Sequence, residues 1–256
     1  MVDLSKLQPT WLWNLGKEGP LPSTERQIKR MFCLTAMTVL SSTVEGILDD
    51  DPDVEQAWEQ LDQTVAWIRA NADDELTEEE RECVEAKPEA WTQRQLIDGS
   101  WRFQAAAVIG WALGLADWLP MWESYGPEHF EFVFIESSVE EVQVLVKPRP
   151  IREVELKNSV ACAWLWRCRD SRKDLPTGFT ERRRFLQQLA RFADECFKSG
   201  EFLPPIEGDL NVKGKPFGKL TQAERNEIGS RSDERLRALN WLHGQDPDYR
   251  FISCDT

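Results

Sequence analysis

Apolar residues recur along most of this chain with the 3.6-residue period of an amphipathic helix, and helix start and stop signals punctuate them. Thr24 with Gln27 reads as a capping box, after which Ile28, Phe32, Thr35, Val39 and Leu40 follow at helical spacing to about Leu48. Asp51-Pro52 opens a second helix with an apolar stripe of Val54, Ala57, Trp58, Leu61, Val65 and Ile68. Thr77 with Glu80 caps a short third helix, and residues 89–115 read as one long helix or as two joined near Gly99. Ser138 with Glu141 caps a helix that ends before Pro148, and Pro150 starts another that runs to about Arg172. Phe185, Leu186, Leu189, Phe192, Ala193 and Cys196 mark the next, closed by Gly200. Thr221 with Glu224 starts the last helix and Gly244 stops it.

Three stretches break the helical period. Residues 126–135, GPEHFEFVFI, alternate Phe130, Phe132 and Phe134 with other residues and form the best strand candidate. Residues 201–220 are rich in Gly and Pro, and Leu210 to Phe217 around Lys213-Gly214 are expected to make a small hairpin. The first twenty-two residues, with Pro9, Gly16, Gly19, Pro20 and Pro22, form an arm that Trp11 and Trp13 pin to the body. The expected fold is mainly α: an arm over 1–22, then one helical domain of about eight helices over 23–256, with at most a small hairpin or isolated strands.

Composition narrows the function classes. The six cysteines at 33, 83, 162, 168, 196 and 254 occur singly, and the only histidines are His129 and His243, so no zinc-type spacing exists and no metal or cofactor is expected. Isolated Cys33, Cys162 and Cys196 on apolar faces behave as small hydrophobes in a reducing compartment. The opening MVDLSKLQPTW lacks a basic region followed by an apolar core, and the apolar run Ala105 to Ala116 is too short to span a bilayer. A cytoplasmic protein with no membrane partner is the expectation. Most of the twelve tryptophans sit beside Leu, Ala and Val in helical patterns and read as core filler.

Charge changes the picture more. Glu45 to Glu89 holds 17 acidic and three basic residues, which accounts for the whole net charge of −14. Arg149 to Lys198 holds twelve basic and seven acidic residues. Nucleic-acid binding is disfavoured because phosphate contacts need a positive field, and a basic protein is the natural complement to the acidic lobe. Asp50, Asp53, Asp73 and Glu75 are read as exposed acids of that partner face.

Catalytic patterns are sparse. Glu78-Glu79 with Glu82, and Glu59 with Asp62, resemble the magnesium-binding carboxylates of all-helical nucleotide pyrophosphohydrolases, but in reversed order and in a segment where acids abound; a solvated acidic face explains them. Glu207-Gly208-Asp209 reads as a turn. Gly110-x-x-x-Gly114 reads as a place where another helix comes close, and Arg182-Arg183-Arg184 at a helix start as a surface facing water or a partner. There is no Gly-x-Ser-x-Gly elbow.

Two segments stand apart from the helical stripes. Ser100-Trp101-Arg102 with Gly110-Trp111-Ala112-Leu113-Gly114-Leu115 is one; Glu234-Arg235, Asn240-Trp241-Leu242 and the closing Cys254-Asp255-Thr256 form the other. In order and spacing they resemble the bacterial domain-of-unknown-function family 4272, over roughly residues 25–256. The resemblance implies a helix with a Trp-Arg pair and a Trp-Ala-Leu-Gly turn, a last helix containing Glu-Arg and Asn-Trp-Leu, and no reaction. It also implies an acidic residue shortly after Trp-Arg, where this chain has Gln104.

Two readings of these residues stay open. In one, Arg102 and Glu234 form an interhelical ion pair while Trp101, Trp111 and Trp241 pack the junction as one buried group. In the other, Arg102 and Arg235 line a pocket for an anionic group, with Asp255 nearby. The functional expectation is a non-enzymatic protein-binding protein, an immunity or adaptor protein working through the acidic lobe. The alternatives are a small-molecule or nucleotide hydrolase using Arg102, Glu234, Arg235 and Asp255, or a structural component of a larger assembly.

Overall fold

Ser23, in extended backbone after Pro22, accepts a hydrogen bond from the Arg26 amide and starts helix α1 (Thr24–Leu48) in a computed structural model that describes residues 19–49, 52–126, 136–170 and 179–254. The cap is one residue earlier than expected because Gln27 does not close a box on Thr24; its side-chain amide donates to the Pro22 carbonyl at 2.9 Å. Ile28, Met31, Phe32, Leu34 and Ala36 are fully buried and lie on every side of α1, the pattern of a helix enclosed by neighbours. By length and composition α1 would also suffice to cross a bilayer, a test that buried core helices pass as well. Here it is the central helix, packed against α2 (Val54–Ala72) and α4 (Gln93–Ala112).

Capping boxes open most of the remaining helices. Thr77 and Glu80 start α3 (Glu78–Glu85), Thr92 and Gln95 start α4, and Ser138 and Glu141 start the short α5 (Val139–Gln143). Helix α6 (Ile151–Asp170) and α8 (Gln222–Leu242, opened by the Thr221–Glu224 box) pack together, and α8 also packs on α4. Between them α7 (Phe179–Lys198) lies at the periphery, burying only Leu189, Ala193 and Cys196 of its apolar face. The hairpin is present as β1 (Asn211–Val212) and β2 (Lys215–Pro216), turned by Lys213 and Gly214 with φ of 50° and 87°. Among the described residues these are eight α-helices and one small ribbon. The strand expected over 126–135 lies outside the described residues from 127 onward, as do Trp11 and Trp13 of the arm.

Two glycines settle how the helices meet. Gly99 does not divide α4 into two helices; it lets α4 lie against α1. A Cβ there would stand 2.7 Å from Ser41 Cβ and 3.0 Å from the Met37 carbonyl, while Thr38 donates to the Gly99 carbonyl at 3.1 Å. Gly99→Ala is therefore expected to cost about 1–3 kcal/mol of unfolding free energy in urea titrations, through overpacking. Gly114, by contrast, does not admit another helix. It sits at φ +76° just past α4, with Leu115 N–H donating to the Gly110 carbonyl and Gly114 N–H to that of Trp111, a Schellman stop. A Cβ at Gly114 would meet the Lys147 carbonyl at 2.2 Å, so this stop also admits the returning chain.

Candidate functional site

Consecutive residues on a helix point about 100° apart, so Glu234 and Arg235 of α8 serve different neighbourhoods. Glu234 turns to α4, where Arg102 Nη1 donates to its carboxylate at 3.1 Å and 3.3 Å. Trp241, two turns on, lies on the same side and meets Tyr249 edge-on at a centroid distance of 5.9 Å. Tyr249, from the short 3-10 turn Tyr249–Phe251, is buried beneath the Arg30 guanidinium, whose Cζ stands 4.5 Å from the ring centroid. Arg30 in turn pairs with Glu80 of α3 and donates to the Glu75 carbonyl at 2.9 Å. Five elements thus converge on one polar cluster, in which Arg30, Glu80 and Tyr249 are buried and Arg102 and Glu234 are half-buried.

The cluster's carboxylates respond differently to burial. For Glu80, burial raises the pKa, but the charge and hydrogen bond of Arg30 outweigh it and hold the group below the usual carboxylate range. For Glu234, burial prevails over the attraction of Arg102 and Arg237 and pushes the pKa up. The Tyr249 hydroxyl is raised by burial and by the nearby Glu234 charge, and it has no hydrogen-bond partner among the described residues. Arg30 Nε is likewise buried without an acceptor among the described residues.

Arg235 faces the other way and is fully enclosed. Its three nitrogens donate to Gln104 Oε1 (3.3 and 2.9 Å) and to the carbonyls of Leu119 (2.9 Å), Pro120 (3.2 Å) and Glu123 (2.5 Å). These five bonds use every N–H of the guanidinium. Its Cζ lies 4.6 Å from the Tyr125 ring centroid, and burial lowers its pKa to about 10 because no carboxylate touches it. Gln104 suits this place as a carboxylate would not: its Nε2 also donates to Ser124 Oγ and to the Tyr125 carbonyl. Arg235 pins the segment after α4 to α8.

The sequence-derived residues therefore divide. Arg102, Glu234 and Trp241 share the polar cluster, whereas Arg235 belongs to a separate clamp. Of the three tryptophans expected in one buried group, Trp111 and Trp241 belong to the same buried core, with different aromatic neighbours, and Trp101 does not. Trp101 is half-buried, and Trp111 meets Trp118 at 5.1 Å with Arg149 over its ring, while Trp241 meets Tyr249 and Arg26. Ten residues of α4 span about 15 Å, too far for Trp101 and Trp111 to share one contact. Asp255 lies outside the described residues. Sequence reasoning missed Arg30 and Tyr249. Arg30 was detectable as one of two adjacent cations, with Lys29, inside the otherwise mainly apolar run Ile28 to Met37.

The acidic face also needs correcting. Glu75 is not an exposed acid: its side chain is 12% exposed and held by Arg26. Asp73 pairs with Arg81 at 2.9 Å, and Asp74 with Lys29 at 3.0 Å. Asp50 lies outside the described residues, and Asp53 is exposed just before α2. Exposed acids without ion-pair partners among the described residues include Glu55, Glu59 and Asp62 of α2, and also Glu79, Glu82 and Glu85 of α3. Those of α2 flank Trp58, which is 41% exposed, and Val54, Leu61 and Val65, which are half-covered.

Other polar features are structural. Glu207 and Gly208, at φ 53° and 74°, make the expected turn, and Asp209 is buried against Arg167 with two bonds of 2.8 Å. The six cysteines are free and buried, and burial pushes the Cys162 and Cys254 thiols up to about 12. Among the described residues no three His, Cys, Asp or Glu side chains group to hold a metal ion. A cleft of about 540 Å³ opens beside Tyr249, but its arginines, Arg26, Arg81 and Arg250, each pair with carboxylates, so its charges are balanced.

No curated protein and no solved structure matches this chain. A family model does, over residues 16–179, which takes in Trp101 to Leu115 but ends before α8, so the match is shorter than the 25–256 the motifs suggested. Because it covers more than half the chain, this protein belongs to the family defined by a domain of unknown function (DUF4272).

Proposed function

We propose that this protein is a non-enzymatic binding module, of the immunity or adaptor kind, which docks a basic protein on α2. The observation that carries the reading is the half-covered apolar stripe of Val54, Trp58, Leu61 and Val65, edged by the unpaired acids Glu55, Glu59 and Asp62. An apolar centre supplies affinity, and a charged rim steers the encounter. The hydrolase reading draws less support, because Arg235 has no N–H left for a ligand and Arg102 is paired through Nη1 with Glu234.

Affinity capture from the native host with the tagged wild-type chain, followed by kinetics on the recovered partner, tests this. A Glu55→Lys/Glu59→Lys/Asp62→Lys variant should associate about tenfold more slowly at low salt, and the gap should narrow as salt screens the field. Equal rates for the two proteins would leave the acids a solubility role and end this reading.

A further inference from the structure

We propose that the basic partner of the α2 stripe is helix α7 of a second copy of this chain, so that two copies pair reciprocally, α2 of each on α7 of the other. The inference rests on the reading of α2 as a docking face and names its occupant.

Helix α7 carries the counterpart of the α2 stripe. Leu186 is 49% exposed and Phe197 44% exposed at the two ends of the stripe; between them Ala190 is half-buried beside Gly208 and Ala193 is fully buried. The two stripes have the same length: Val54 to Val65 and Leu186 to Phe197 each take in twelve residues, about 16 Å of helix from first to last. Their borders are opposite in charge. Glu55, Glu59 and Asp62 edge the first; Arg182, Arg183 and Arg191 edge the second beside a single acid, Asp194, and these arginines are exposed with no acid paired to them among the described residues.

Two physical arguments favour a second copy in a reciprocal arrangement. One helix-on-helix contact is small beside the roughly 1,200–2,000 Å² of a stable interface, and a two-fold axis repeats it without any further surface. The net charge of −14 repels copies at long range, but at physiological salt the screening length is about 8 Å, so contact pairs persist while distant repulsion fades.

Sedimentation velocity of the full-length chain at about 0.15 M salt tests the proposal, on three samples whose helical circular dichroism matches wild type. Wild type should sediment at twice the 29.6 kDa chain mass. The Glu55→Lys/Glu59→Lys/Asp62→Lys variant and an Arg182→Glu/Arg183→Glu/Arg191→Glu variant should each dissociate at least about tenfold more readily, since both contacts in each homodimer become like-charged. Mixing the two variants should restore a dimer, because both contacts in the mixed pair become opposite-charged again. That rescue cannot arise from misfolded proteins. A monomeric wild type, variants that stay dimeric, or a mixture that stays monomeric would each overturn the proposal. If wild type is monomeric yet its α2 acids still govern association with a captured basic protein, only the self-pairing is lost and the docking face stands.

Discussion

Replacing Glu80 with alanine is expected to destabilise the fold by about 3–5 kcal/mol, the cost of stranding a buried charge. Arg30 has no exposure, and its Nε already lacks an acceptor among the described residues. Without Glu80 the guanidinium would keep only the Glu75 carbonyl and the face of Tyr249. The same substitution removes the side chain that accepts from the Thr77 amide at 2.9 Å, so helix α3 loses half of its capping box. Urea unfolding followed by far-ultraviolet circular dichroism measures the loss, and a change under about 1 kcal/mol would mean that Arg30 is solvated or finds another acceptor.

The pH dependence separates Glu80 from Glu234. Glu80 has a depressed pKa in the folded state, so its stabilisation is present above the usual carboxylate pKa of about 4.3 and is lost as pH falls through the folded value. Glu234 has a raised folded pKa, so the native state holds a proton that the unfolded chain has released, and its contribution falls as pH rises through that window. Glu80→Gln should flatten the rise of stability with pH on the acid side. Glu234→Gln should steepen it. Urea midpoints between about pH 3 and 6 read both signs.

Arg235→Met is expected to cost about 4 kcal/mol or more, by a different route. Here the loss is of donors: the carbonyls of Leu119 and Glu123 lose their Arg235 bonds, each worth about 1–3 kcal/mol when buried and not strictly additive, while Pro120 keeps only the Glu123 amide at 2.9 Å and Gln104 Oε1 only the Tyr125 amide at 3.4 Å. Arg235→Lys should recover little, because an ammonium offers three donors and no planar fork. Chemical denaturation of both variants checks this: near-wild-type stability in the lysine variant would show that charge rather than donor geometry matters at this position. With typical domain stabilities of about 5–15 kcal/mol, the methionine variant should be visibly less stable at room temperature.

Much of the architecture is legible in the sequence because its signals are local. Thr77 with Glu80, Ser138 with Glu141 and Thr221 with Glu224 are capping boxes whose partners lie three residues apart, so no tertiary information is needed to see them. The stops at Gly200 and Gly244 and the Lys213-Gly214 turn are local in the same sense, set by positive φ. The first cap falls one residue before the expected Thr24 because Ser23 and Thr24 are both capable caps, and only the pull of the Pro22 carbonyl on Gln27 separates them.

What a charged residue does is not local, and there sequence and structure part. The short motifs bring Arg102 and Glu234 together across 132 positions, but they carry no information on which way Arg235 turns. Glu75 and Glu55 look alike in an acidic run; a cation one helix away, Arg26, makes the first a structural pair and leaves the second exposed. Likewise the α2 periodicity marks Trp58 and Ile68 as one stripe, yet only packing against α1 decides that Ile68 is fully buried while Trp58 stays open. Sequence alone determined that this chain is helical, where most of its helices begin and end, and where its charge resides, because backbone hydrogen bonding and capping act over a few residues. The tertiary structure alone decided which charges are buried, which are paired and which apolar surface remains uncovered, because burial and ion pairing depend on neighbours that are distant along the chain.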